Sequence, residues 1–230
     1  MRTTILCLSL SAAAWAGPCL PGSLQDYVNL GDGGCQLGSG SLSLFVNNFM
    51  LFGSPAGVTP IDPALVLITP FSSTYDRGFS ASLDATAAAG QRFDTFFNFQ
   101  AAGPAIVAAS VLLEDSMASG DGAVAAVVNI CRDGIFSGGP FLCGGSQEDL
   151  IALKLSVDAP NSDFRAFPAT SFFDVFAEIS LDSGLSGTAS GATGTLTITQ
   201  TPEPGSLVLM ALAGAGLLGL GKRKLKEKVK

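Results

Sequence analysis

Histidine is absent from all 230 residues, tryptophan occurs once and tyrosine twice. Without imidazole the chain can build no Ser-His-Asp or Cys-His nucleophile and no imidazole-ligated catalytic metal. Basic residues are also scarce. From Gly17 to Pro204 there are five (Arg77, Arg92, Arg132, Lys154 and Arg165) against eighteen acids, a net charge of −13. Such a region repels nucleic-acid phosphates and anionic lipid head groups, which excludes nucleic acid as a partner. Glycine is plentiful at 28 residues, yet no G-x-x-x-x-G-K-[ST] occurs, and no G-x-G-x-x-G opens a helix after a strand.

What is present at the N-terminus has the form of an export signal. Arg2 supplies a positive start, Ile5 to Ala14 a short apolar stretch, and Ala14-Trp15-Ala16 a small-x-small cleavage pattern. Cleavage between Ala16 and Gly17 removes the sole tryptophan, leaving Tyr27 and Tyr75. Pro18 stands where a lipid-modified cysteine at Cys19 would need a small, flexible residue. Cys7 goes with the leader, so Cys19, Cys35, Cys131 and Cys143 remain. An even count in an exported chain argues for two disulfides. Three connectivities are open, of which the local pairs Cys19–Cys35 and Cys131–Cys143 are the expectation. Their spacing is not C-x-x-C and no histidine completes a zinc site, so no metal or cofactor is expected.

The apolar pattern from residue 17 to about residue 200 is that of a β protein. Phe93, Thr95, Phe97 and Phe99 alternate with Asp94, Phe96 and Asn98, a period of two. Short runs of similar character lie at 42–52, 64–69, 79–83, 105–113, 123–131, 150–157, 172–181 and 193–199, separated by Gly, Pro, Asn, Asp and Ser. Ser23-Leu24-Gln25-Asp26 reads as a capping box opening a short helix that stops at Gly31. The expected fold is all-β: a single antiparallel β-sandwich, jelly-roll-like, with a short N-terminal helix.

Enzymatic options narrow to carboxylates. The pairs Glu114-Asp115 and Glu148-Asp149 are expected at strand ends as solvated loop carboxylates, and strand neighbours point to opposite faces. Asp115, Asp121 and Asp133 fall near loops and have the hard oxygens calcium prefers, without the spacing of an EF-hand loop. Gly138-Gly139-Pro140 and Gly144-Gly145-Ser146 read as turns around Cys143. The phenylalanines read as core, with Phe71, Phe136 and Phe141 in Gly/Ser/Pro context. No catalytic residues are expected, and a glycoside hydrolase is the least favoured reading.

The C-terminus carries the most specific signal. Pro202-Glu203-Pro204 precedes an uncharged apolar run, 205–221, and a tail, 222–230, with six basic residues and one acid. As a helix, the sixteen residues from Ser206 to Gly221 would span roughly 24 Å, short against a hydrocarbon core of about 30 Å. The basic tail favours the cytoplasmic side.

This arrangement resembles the PEP-CTERM sorting domain of Gram-negative bacterial proteins, a Pro-Glu-Pro motif followed by a short transmembrane segment and a basic terminus. The resemblance covers about thirty residues. The opening, Cys19 through Leu30-Gly31-Asp32-Gly33-Gly34-Cys35 and Gln36-Leu37-Gly38, is similar to the start of many exported proteins of that kind. It implies a signal peptide at 1–16, an exported domain at 17–200 and a sorting signal at 201–230. Its transmembrane helix would be a temporary anchor, cut by an exosortase, with exopolysaccharide as a further implied partner. The expected role is non-enzymatic, at the cell surface or in the extracellular matrix; the alternative is a carbohydrate-binding or adhesive module.

Overall fold

A computed structural model describes residues 16–137, 142–156 and 159–201. The signal-peptide segment before Ala16, Phe141, and the sorting segment from Pro202 onward lie outside the described residues. Among those described, one short α-helix, three single-turn 3-10 helices and twelve strands occur.

In chain order the elements are β1 (Gly22–Ser23), α1 (Leu24–Leu30), β2 (Cys35–Leu37), β3 (Leu44–Phe52), β4 (Thr59–Pro60), β5 (Val66–Ser72), β6 (Asp76–Ala87), β7 (Arg92–Glu114), β8 (Met117–Ser119), β9 (Ala123–Arg132), β10 (Ser146–Leu155), β11 (Ser162–Asp182) and β12 (Thr188–Gln200). Helix α1 begins as its sequence dictates. The Ser23 hydroxyl accepts from the Asp26 N–H, the Asp26 carboxylate accepts from the Ser23 N–H, and Gly31 closes the helix at φ 54°.

The strands pair almost entirely antiparallel; the exceptions are β4 beside β7 and an isolated bridge between Pro18 and Gln36. Two long strands organise the whole. The first part of β7 pairs with β3 on one side and β11 on the other, and its second part pairs with β12 and the start of β11. Register shifts near Ala166 and Thr170 mark where β11 changes course, as bulges do where a strand bends. The result is sandwich-like. One layer runs β2-β3-β7-β11-β9-β10; the other runs β1-β5-β6-β12 and continues into the far halves of β7 and β11.

Between the layers lies an apolar core. Phe49 of β3, Phe79 of β6 and Phe97 and Phe99 of β7 pack ring to ring, with centroids 5.0–6.4 Å apart. Tyr27 of α1 closes one end, edge-on to Phe49 at 5.1 Å and Phe79 at 5.5 Å. Its hydroxyl donates to the Leu20 carbonyl at 2.8 Å, and burial pushes its pKa up to about 12. Elsewhere the layers approach through small residues: a Cβ on Gly194 would sit 3.2 Å from that of Ala126. The glycine and alanine content of β9 and β12 is therefore a packing feature.

Two disulfides brace the ends. Cys19–Cys35 ties the chain start to β2, and Cys131–Cys143 closes the loop between β9 and β10. No helix among the described residues is long and apolar enough to cross a membrane.

Candidate functional site

Strand alternation puts Phe97, Phe99, Val128, Ala177 and Ile179 against the inner cavity, so their neighbours face outward. The outward residues of five strands line up as rungs. Phe52, Phe96, Glu178, Val127 and Ile151 form one rung, from β3 across β7, β11 and β9 to β10. The next is Met50, Asn98, Phe176, Asn129 and Asp149. Seven of these ten, Phe96, Val127, Asn129, Asp149, Ile151, Phe176 and Glu178, line a groove of about 300 Å³.

Its floor is aromatic. The Phe176 ring lies 5.1 Å from Phe52, 6.0 Å from Phe96 and 6.5 Å from Phe136. Phe136 arrives from the disulfide-closed loop, whose position is fixed by a hydrogen bond from the Phe136 N–H to Asp174 Oδ2 at 2.8 Å. Asn98 links the same carboxylate to the Val175 carbonyl, donating 2.8 Å bonds to each. Asn129 donates to Asp149 Oδ1 at 2.7 Å, and Gln147 donates to the same oxygen at 2.8 Å.

At the far end sits a charged cluster. Arg92 Nη2 lies 3.3 Å from Asp94 Oδ2 and 3.9 Å from Glu178 Oε1, and Arg92 Nε lies 4.0 Å from Asp182. Asp94 is fully buried, and the Arg92 contact is charge attraction without hydrogen-bond geometry, so both its oxygens lack a donor. Burial, with the charge of Asp182, raises the Asp94 carboxyl above the ordinary range against the opposing pull of Arg92. Burial raises Glu178 as well, helped by the charge of Asp94. Burial raises Asp174 despite the N–H donors around it. Of these three carboxyls only Glu178 lines the groove. The groove offers aromatic rings, amides and carboxylate acceptors, a set suited to binding a hydroxyl-bearing ligand.

The residues singled out in the sequence are distributed differently. Cys19 and Cys35, and Cys131 and Cys143, are joined as pairs. Gly17 is held by its carbonyl, which accepts from the Gln36 N–H at 2.9 Å, with Ala16 just before it. Pro202, Glu203 and Pro204 lie outside the described residues. Asp115, Asp121 and Asp133 occupy three separate turns. Asp121 accepts from the N–H groups of Leu185 and Ser186, which lower its pKa to about 2; Asp133 accepts from the Thr170 hydroxyl. Among the described residues no group of three potential metal ligands occurs.

Glu148 and Asp149 do not lie in a loop as expected. β10 begins at Ser146, four residues before the apolar run, because pairing with β9 extends back to Arg132. Glu148 meets Arg132 at 2.9 Å, and Asp149 joins the groove. The partnership of Phe96, Phe176, Asn129 and Glu178 was not foreseen. Its signal was the polar-aromatic alternation on the outward positions of β7 and β11, but only strand order says which outward residues meet.

A disulfide-braced, mostly antiparallel β domain that ends on a strand immediately before a sorting signal is the class these features define. The chain carries the PEP-CTERM protein-sorting motif, which matches residues 200–224 and begins on the last residue of β12. That motif implies recognition by an exosortase, with export and membrane-associated sorting in a Gram-negative bacterium. No curated protein matches the chain. Among solved structures it is similar to TmCBM61 in complex with beta-1,4-galactotriose, at 11% identity and a TM-score of 0.25, over 52% of this chain and 69% of that one. A likeness that low carries no argument about fold or ligand.

Proposed function

We propose that the chain is a non-enzymatic exported protein of the cell surface or extracellular matrix, delivered unfolded by a signal peptide at 1–16 and folded outside as the domain 17–200. It is then held by a transient helix at 205–221 and released or transferred by an exosortase at the signal 201–230. One observation carries this reading: the hydrogen-bonded fold is pinned at both ends beside the two processing positions. The Gly17 carbonyl accepts from Gln36, and the Thr201 N–H donates to the Ala105 carbonyl at 3.0 Å. Cutting beyond these points would leave every described strand in place. The return of β12 between β6 and β7 supports the jelly-roll-like reading of the sandwich. Replacing Glu203 by Ala, or deleting the exosortase, should leave an uncut, membrane-held form; an unchanged product in both cases would refute the sorting account.

The outer-face groove favours a second reading, an adhesive or carbohydrate-binding module that uses exopolysaccharide as its partner. Phe96 offers apolar ring surface backed by the buried Phe176, and Asp149, held by Asn129, and Glu178 offer hydrogen-bonding groups for hydroxyls. A glycan array on the intact protein tests it, and incubation with the bound polysaccharide should show no turnover.

A further inference from the structure

A second pocket, of about 360 Å³, opens at the end of the sandwich away from the groove, between the turn 38–42 and the turn 72–74. Its distinguishing feature is Arg77. This residue stands on β6 opposite Ile198 of β12 and faces the interior, only 4% exposed. Its Nε and Nη1 are buried without any hydrogen-bond partner, and no ion pair reaches the guanidinium among the described residues. Burial lowers its pKa, and the neighbouring charge of Asp76 only partly offsets this.

A buried, unpartnered cation is unfavourable unless something supplies the missing acceptors. The fold nonetheless makes room for it. Gly38, at φ 74°, lies so close that a Cβ there would stand 2.7 Å from Arg77 Nε. The backbone of the 38–42 turn is thus shaped around the guanidinium. The remaining wall is hydroxyl-rich: Ser39, Ser41, Ser72 and Thr74 line it, and all four are exposed. Hydroxyls both donate and accept, whereas a guanidinium only donates, and with Nε and Nη1 sealed it is Nη2 that can donate to an acidic group in the pocket. The pocket is larger than a bare oxyanion needs and falls within the range of small-molecule sites, about 300–1,000 Å³.

We infer that this pocket binds a carboxylate-bearing sugar, a uronate, with the carboxylate meeting Arg77 Nη2, the guanidinium nitrogen that is not sealed from the pocket, and the serine and threonine hydroxyls meeting the ring hydroxyls. The site is separate from the outer-face groove and stands whether or not that groove binds glycans.

Calorimetric titration of the full chain with glucuronate, with glucose and acetate as comparisons at constant ionic strength, tests the inference. Glucuronate should bind saturably, and more tightly than either comparison. Arg77→Gln should weaken it by about tenfold or more, as expected for loss of a charge-assisted contact. Thr74→Glu, which supplies a tethered carboxylate at the pocket wall, should block glucuronate while circular dichroism shows the β fold intact. Absence of saturable binding, equal affinity in both variants and the parent, or acetate binding as tightly as glucuronate would each overturn it.

Discussion

Asp174 on β11 accepts from the Phe136 N–H at 2.8 Å, and through that bond a strand of the sandwich holds the disulfide-closed loop over the groove. The same carboxylate accepts from Asn98 of β7. One buried acid thus joins two strands and a loop, and the aromatic floor around Phe176 depends on all three.

Opening the Cys131–Cys143 bridge with a double Cys→Ser substitution should therefore do two things. Closing a loop of this length, with the cysteines 12 residues apart, stabilises by about 2–3 kcal/mol in the chain-entropy model. The unfolding free energy from denaturant titration should fall by that amount, and the Phe136 amide should lose protection from hydrogen exchange. Removing Cys19–Cys35, with a separation of 16, should cost about as much without touching the Phe136 amide.

Tyr27→Ala should be among the most damaging single changes. The ring is 2% exposed and edge-on to two phenylalanines, and loss of a large buried aromatic costs about 3–5 kcal/mol. Tyr27→Phe keeps the ring and loses only the bond to the Leu20 carbonyl, about 1 kcal/mol. Equilibrium unfolding in urea separates the two.

Stability should peak on the acid side of neutrality. Asp94, Asp174 and Glu178 have carboxyls raised in the folded state, so between the ordinary carboxylate value and their raised values the native state holds more protons than the unfolded chain. Unfolding free energy then falls as pH rises through that window. Asp121 acts oppositely: its lowered pKa, about 2, contributes stability above the ordinary carboxylate value that is lost as pH falls toward about 2. Urea midpoints should rise as pH falls from the raised values toward the ordinary carboxylate value, and fall again in stronger acid. A monotonic fall from pH 7 downward would contradict the burial of Asp94 and Glu178.

Phe96→Ala and Asp149→Asn test the groove. Both residues line it on outward-facing strand positions. Each should abolish or weaken retention on any polysaccharide the protein binds, by about tenfold, with a smaller stability loss than Tyr27→Ala.

Much of the architecture was legible because strand burial writes itself as period two. The 93–99 alternation placed Phe97 and Phe99 inside, and Ser23 with Asp26 marked the helix start. Strand order was not legible. Nothing local says that β12 returns between β6 and β7, or that Asp149 would meet Asn129 rather than solvent. The role of Asp121 was hidden for the same reason: its oxygens serve Leu185 and Ser186, sixty-four and sixty-five residues away. The groove and the Arg77 pocket are products of long-range pairing, so composition and spacing could not announce them.

Mass spectrometry of the protein recovered from the producing cell's surface or medium tests the central claim most directly. The account predicts a chain beginning at Gly17, ending near Pro202-Glu203-Pro204, and carrying both disulfides unreduced. A product that still begins at Met1, or still carries residues 205–230, would contradict it.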